Sequence, residues 1–99
     1  MKELLENLNK AFESKARLGI MSVLMVNEQM NFNSLKELLN LTDGNLASHL
    51  RALEDQQYVA VHKQFVGRKP NTTYQATETG KKAFNEHLKA LEILIKGSL

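Results

Sequence analysis

The sequence predicts a mainly α-helical domain with one small β-hairpin, which is an α+β fold. Two observations lead to this prediction. Apolar residues recur at the spacing of an amphipathic helix along most of the chain, whereas between residues 58 and 76 the period changes to two. In that stretch aromatic and β-branched residues favour strands, and residues 67–71 (GRKPN) have the composition of a turn.

Length and composition limit the class of protein. A chain of 99 residues with 42% hydrophobic content is enough for a single domain, residues 1–99, with one modest core. The net charge of +2 permits binding to nucleic acid without requiring it. Cysteine is absent, which excludes disulfides and thiolate metal sites. The charged N-terminus and the absence of an apolar run of about 18 residues predict a cytoplasmic protein without a signal peptide or membrane span.

The first half of the chain is predicted to be helical apart from one short extended segment. Apolar residues recur at helical spacing through residues 2–13, which indicates a short amphipathic helix. Residues 15–27 are apolar nearly all round, as is typical of a central, buried helix. After a brief extended segment at 30–32, Asn33 is expected to cap a helix over residues 34–40.

The next helix has a narrow apolar stripe and a small, polar outer face. Thr42 is its expected N-cap, and the helix is predicted over residues 43–56. Leu46, Leu50 and Leu53 follow at spacings of four and three, so they form one buried stripe. The hairpin comes directly after this helix.

The two terminal helices carry more apolar surface than a small core absorbs. Thr77 is expected to cap the last helix, over residues 78–96. Surplus apolar stripes are typical of partner surfaces, so we expect a twofold homodimer; packing within a monomer is the alternative. The predicted interface residues are Leu4, Leu8, Phe12, Phe84, Leu88, Leu91, Leu94 and Ile95.

The order of elements is that of a winged helix-turn-helix with an additional helix at each end. Residues 41–84 resemble the winged-helix DNA-binding domains of the MarR/ArsR-like transcriptional regulators. The HLxxLE run of the polar-faced helix, the VGRKPNTTY hairpin and the TExG start of the last helix carry the resemblance, which extends over about residues 15–90. It implies a helix-turn-helix at about 33–56, a wing at about 58–76, and dimerisation helices at about 2–13 and 78–96.

One residue departs from the pattern of those regulators. Gln57 stands where a glycine commonly ends the recognition helix, so a residue with a side chain must make that turn. The departure concerns the local geometry of the helix end and leaves the fold unchanged.

The resemblance implies a homodimeric, sequence-specific regulator that binds double-stranded DNA. The polar-faced helix would enter the major groove, and the wing would lie on the adjacent minor groove or backbone. On a helical wheel Asn45, Ser48 and Arg51 face away from the leucines, where they could read base edges. The basic wing residues suit phosphate or minor-groove contacts, as would Thr73. The predicted DNA-binding set is Thr42, Asn45, Ser48, Arg51, Lys63, Arg68, Lys69 and Thr72.

Other chemistry finds little support in the sequence. His49 lies beside the leucine stripe, so we expect it to brace the helix rather than to act as a ligand or base. The three histidines lie apart, and no carboxylate stands at a convincing ligand spacing, so neither a metal site nor a cofactor is predicted. No nucleophile–base pair or phosphate loop is recognisable, so an enzyme is not expected. The main alternative is a winged helix that binds another protein and not DNA.

Overall fold

The computed structural model describes residues 2–97, and over this part of the chain five α-helices accompany a three-stranded antiparallel sheet. The predicted α+β class is confirmed. The elements are α1 (Lys2–Glu6), a 3₁₀ turn (Lys10–Phe12), α2 (Lys15–Val26), β1 (Met30–Asn31), α3 (Phe32–Leu39), α4 (Asp43–Asp55), β2 (Val59–Val66), β3 (Lys69–Ala76) and α5 (Glu78–Lys96).

Side-chain caps determine where the longer helices begin. The hydroxyls of Thr42 and Thr77 accept backbone N–H groups at the starts of α4 and α5, so both predicted caps are confirmed. The predicted cap at Asn33 is wrong. Asn31 occupies that position instead, because its backbone is extended and its side-chain oxygen accepts the Ser34 N–H at 2.8 Å.

The predicted helix over residues 2–13 is also wrong, because contacts with distant residues interrupt it. α1 ends at Glu6, and the chain turns before the 3₁₀ segment. The Asn9 N–H donates to Nδ1 of His87 at 2.9 Å, and its side-chain amide donates to the Tyr58 hydroxyl at 3.0 Å. These bonds hold Phe12 in the core, where its ring packs edge-on against Phe84.

The core is centred on α2, as predicted, but this helix is not buried all round: Ser22 is exposed, and so is Val26, at 82%. The inner side of α2 packs against the leucine stripe of α4, the aromatic cluster around Phe12 and the base of the sheet. Every side chain of the stripe is buried. The largest fully buried side chains are Phe12, Ile20, Met21, Leu24, Leu35, Leu46, Leu50 and Leu53.

The hairpin projects from this core. The strand order is β1-β3-β2, and β1 pairs only with the inner part of β3, through Met30 opposite Tyr74. Beyond that point β2 and β3 pair with each other alone, and residues 62–70 are all exposed. The loop turns at Gly67, whose φ of 66° lies in the left-handed region that favours glycine.

The molecule is elongated, with principal extents of 57 × 25 × 21 Å and a Cα radius of gyration of 14.9 Å. A compact chain of this length has a radius of gyration of about 13 Å. The difference arises because the hairpin projects and because α5 continues beyond Ala90, its last buried residue. That C-terminal part of α5 gains little cover from the core.

Candidate nucleic-acid interface

The outer face of α4 is free of contacts with the core. Asn45, Ser48 and Arg51 are exposed, as their positions opposite the leucines predicted. Thr42 is exposed too, but its hydroxyl accepts the Asn45 N–H at 3.2 Å and so holds the first turn of the helix. Small residues around this face allow another surface to approach the backbone closely.

A recess of about 390 Å³ separates α4 from the hairpin. Arg51 lines it from the helix, and Lys63 lines it from β2. Two predicted contact residues, 12 positions apart in the sequence, are thus brought to one surface. Glu54 and Asp55 also line the recess, so acidic groups accompany the basic ones.

Tyr74 forms the hairpin wall of the same recess. Its ring also packs against Phe32, with the ring centroids 6.4 Å apart. Burial, reinforced by the Glu54 carboxylate, raises the pKa of Tyr74 above its ordinary value of 10.0. The phenol therefore stays protonated at neutral pH.

The two faces of the hairpin differ in what they present. Side chains alternate along a strand and share a face with the residue paired opposite. Lys63 pairs with Thr72, and Phe65 pairs with Pro70; these two rungs continue the face that lines the recess, which we call the recess face. Lys69 pairs with Val66 and so lies on the reverse face.

Arg68 and Lys69 are neighbours in the predicted DNA-binding set, but the structure gives them different positions. Arg68 lies in the exposed loop, while Lys69 points to the reverse face of the hairpin. Phe65 was not among the predicted contact residues, although 73% of its side chain is exposed on the recess face. The signal in the sequence was a bulky aromatic residue two positions before the turn, but the pattern alone did not show that this rung lies beyond the core.

The threonines of β3 also differ. Thr72 is half-buried opposite Lys63 and remains a candidate contact. Thr73 is buried, and its hydroxyl donates to Oε1 of Gln29 at 3.1 Å. The expectation that Thr73 adds a phosphate contact is therefore wrong, since its side chain ties the hairpin to the loop after α2.

Two hydrogen bonds hold the flank of α4 and the turn at its C-terminal end. Nε of Arg17 donates to Nδ1 of His49 at 3.1 Å, so His49 braces α4 against α2 as predicted. At the C-terminal end Gln57 adopts a φ of 64°, which is the turn that its position demanded. The Thr77 hydroxyl donates to the Gln57 carbonyl at 2.7 Å and so links this turn to the start of α5.

The residues predicted for a dimer interface fall into two groups. Phe12 and Phe84 are each only 2% exposed and belong to the protomer core, so their placement at an interface is corrected. Their spacing matched a surface stripe, but the broken N-terminal helix folds Phe12 inward against Phe84. Leu4, Leu8, Leu91 and Leu94 are half-buried, while Leu88 and Ile95 are exposed. Leu5 is exposed as well, next to α5, against which α1 packs.

Within residues 2–97, no helix is both long and apolar enough to cross a membrane. The same residues bring together no group of three histidine, aspartate or glutamate side chains that could hold a metal ion. The three histidines lie apart: His49 is on α4, His62 is on the outer hairpin, and His87 is in the core.

A three-stranded sheet with a projecting hairpin, set beside a capped helix with a polar outer face, defines a winged helix. The family model of the winged helix DNA-binding domain matches residues 16–95, and the chain belongs to this family. The winged-helix prediction made from the sequence is thereby confirmed.

Individual relatives agree with this assignment. The structure of the transcriptional regulator homologue protein from Pyrococcus horikoshii OT3 matches with a TM-score of 0.89 and 33% identity, over 100% of both chains. An uncharacterized protein of Methanocaldococcus jannaschii is 39% identical over 79 residues, which is 80% of this chain and 86% of the relative. YusO from Bacillus subtilis shares the fold at a TM-score of 0.81 with 18% identity, over 99% of this chain and 69% of YusO. Family and fold are those of transcriptional regulators.

Proposed function

We propose that this protein is a homodimeric, sequence-specific regulator of transcription. In this proposal α4 enters the major groove of double-stranded DNA, and the hairpin acts as the wing on the adjacent minor groove or backbone. The observation that carries the proposal is that Arg51 and Lys63 line one recess, so helix and wing form a continuous surface. A surface of that shape suits a duplex, whose two grooves lie side by side.

In this proposal the exposed residues of α4 contact base edges, and the basic residues of the wing contact phosphates. Asn45 and Arg51 have side chains that pair bidentately with adenine and guanine edges, and Ser48 between them is short enough to allow close approach. Lys63 and Arg68 of the wing are assigned to phosphate oxygens, which fix the register of the protein but carry no sequence information. Lys69 lies on the reverse face and is expected to contribute less to these phosphate contacts.

The proposed dimer uses the terminal helices. α5 leaves the core after Ala90, and Ile95 near its end is 79% exposed. Leu5 and Leu88 extend the exposed apolar surface along α1 and the outer side of α5. A second copy of the chain would cover these side chains, and twofold symmetry would then place the half-sites about 34–36 Å apart, one turn of the duplex.

The decisive experiment is selection of binding sites from a random duplex library, followed by a salt titration on the selected site. We expect a pseudo-palindromic consensus and an affinity that falls steeply as salt rises, because bound phosphates release counterions. Arg51→Ala should cost about 1–3 kcal/mol at one base position and relax the preference there. Lys82→Ala removes a positive charge from the exposed side of α5 and serves as the matched control.

The alternative is a winged helix that binds a protein. Glu54 and Asp55 in the recess favour it, because they reduce the attraction of this surface for phosphate. If the wild-type chain binds no duplex even at low salt, the DNA-binding proposal fails and the alternative stands. A consensus without twofold symmetry would refute the dimer alone.

A further inference from the structure

The tip of the hairpin carries an apolar pair where a charged or polar tip would be the ordinary choice. Phe65 lies opposite Pro70, and 73% of its side chain is exposed. Within residues 2–97 it is the one aromatic residue among the large hydrophobic side chains that stand exposed. Phe65 and Pro70 together give the projecting arm an exposed apolar group that another molecule can cover.

We propose that Phe65 inserts into the minor groove of duplex DNA as an apolar wedge, with Pro70 stiffening the strand beside it. The inference rests on the proposed DNA binding and adds a contact residue of a different chemical kind. Apolar side chains that enter the minor groove pack on the sugars and partly unstack a base step, which bends the duplex.

The charges of the hairpin identify the occupant as a polyanion. Residues 59–76 contain Lys63, Arg68 and Lys69 and no aspartate or glutamate. Phe65 lies two residues beyond Lys63 on the same face of the hairpin, and Val66 alone separates it from the loop that holds Arg68. An apolar group placed between cations matches the minor groove, where phosphates line both edges and the sugars and base edges lie between them.

The direction of the side chain supports the same occupant. Phe65 lies on the recess face with Val61 and Lys63, and this face continues to Arg51 of α4. A duplex held by α4 would therefore meet the Phe65 side of the hairpin. Val66 is 64% exposed on the reverse face. The two neighbours form a natural control pair, since they are similarly exposed but face opposite ways.

The first experiment compares Phe65→Ala with Val66→Ala in titrations of a duplex with protein at several salt concentrations. We expect Phe65→Ala to weaken binding about tenfold, which corresponds to about 1.4 kcal/mol. The slope of log affinity against log salt should stay at the wild-type value, because an apolar contact releases no counterion. Val66→Ala should change the affinity less than about twofold. Thermal unfolding of both variants, expected to match wild type, checks that the exposed sites do not affect folding.

The second experiment uses fluorescence. The chain contains two tyrosines but no tryptophan, so Phe65→Trp and Val66→Trp each introduce the single tryptophan, which can be excited selectively at the red edge of tyrosine absorption. Insertion beside a base step should quench the emission of Phe65→Trp when duplex DNA is added, and leave that of Val66→Trp nearly unchanged.

The outcomes separate this inference from the function on which it rests. If wild type binds DNA and Phe65→Ala binds equally well, or both variants lose the same affinity, the wedge is refuted and the regulator proposal stands. Unchanged emission of Phe65→Trp at saturating DNA refutes it too. A shift in the sedimentation of free Phe65→Ala would show that Phe65 joins two copies of the chain, which also overturns the wedge. Failure of wild type to bind any duplex overturns both proposals.

Discussion

The helix α4 and the outer half of the hairpin face the same recess, but they are held in place by different forces. Burial of the leucine stripe, the Thr42 cap and the bond from Arg17 to His49 fix α4 in the core. The outer hairpin has only its own strand pairing, since residues 62–70 are all exposed. The position of α4 is thus fixed by the core, whereas the outer hairpin has no support from it.

The largest effect is expected from removing buried volume in α4. Leu50→Ala should lower the free energy of unfolding by about 2–5 kcal/mol, because it deletes a side chain at the centre of the stripe and leaves a cavity. Leu38→Ala is the matched control, since Leu38 on α3 is 64% exposed and its loss should cost little. Urea denaturation measures both. Similar losses for the two variants would mean that α4 is not held by burial.

A smaller effect is expected where α5 meets the turn after α4. A Cβ added at Gly80 would lie 2.1 Å from the carbonyl oxygen of Tyr58, so the backbones must separate. Gly80→Ala should therefore cost about 1–3 kcal/mol. Gly44→Ala is the control: its Cβ would meet no atom within 4 Å, so it should be neutral or stabilise α4 by up to about 1 kcal/mol.

The same glycine pair separates stability from binding. Because Gly44 lies on the exposed side of α4, its alanine variant keeps the fold while adding a methyl group to the proposed reading surface. Weaker DNA binding by a protein of undiminished stability would support close approach at this position. Equal stability losses for the two alanine variants in thermal unfolding would contradict the clash at Gly80.

The two faces of the wing provide the next comparison. Lys63→Ala should reduce the salt slope of DNA binding by about one unit, as expected for one lost phosphate contact. Lys69→Ala should reduce it less, because Lys69 pairs with Val66 on the reverse face. Titrations with a single duplex at several salt concentrations distinguish them. A larger effect of Lys69→Ala would mean that DNA meets the wing from the other side.

The smallest effect concerns pH. Burial lowers the pKa of His87 below its ordinary value of 6.5, and the Glu13 carboxylate opposes this shift weakly. As pH falls below 6.5, the unfolded chain therefore gains a proton at His87 before the native protein does, and stability is lost. Protonation of Nδ1 would also break the bond from the Asn9 N–H.

Urea unfolding at about pH 7.5 and about pH 5.5 tests this linkage. His87→Gln should lose less stability over that interval than wild type does. His62→Gln, which removes an exposed histidine from the wing, controls for the substitution itself. An unchanged pH dependence in His87→Gln would show that the N-terminal segment does not depend on an uncharged imidazole.

Local sequence patterns were enough to predict the elements near the recess. The cap at Thr42, the spacing of Leu46, Leu50 and Leu53, and the period of two in the hairpin each depend on neighbours within one or two turns of chain. The start of α5 at Thr77 followed from the same kind of signal. The exposed face of α4 could therefore be predicted from residue spacing alone.

Other features depended on residues far apart in the chain. The break after α1 is maintained by Asn9 and His87, 78 positions away, and no local pattern contains that contact. The spacing of Phe12 predicted a surface stripe, but in the folded protein its side chain is buried in the core. The cap at Asn31 coincides with pairing of β1 to β3, which sets where α3 begins.

Helix and strand types, the order of the elements and the polar face of α4 thus follow from the sequence, because short-range periodicity and capping govern them. Tertiary packing settled which apolar residues belong to the core and which stay exposed, and which hairpin residues share a face with Arg51. Burial and strand register arise between segments that are distant in the chain. For that reason Phe65, inconspicuous in the sequence, becomes the most distinctive side chain of the wing only in the folded molecule.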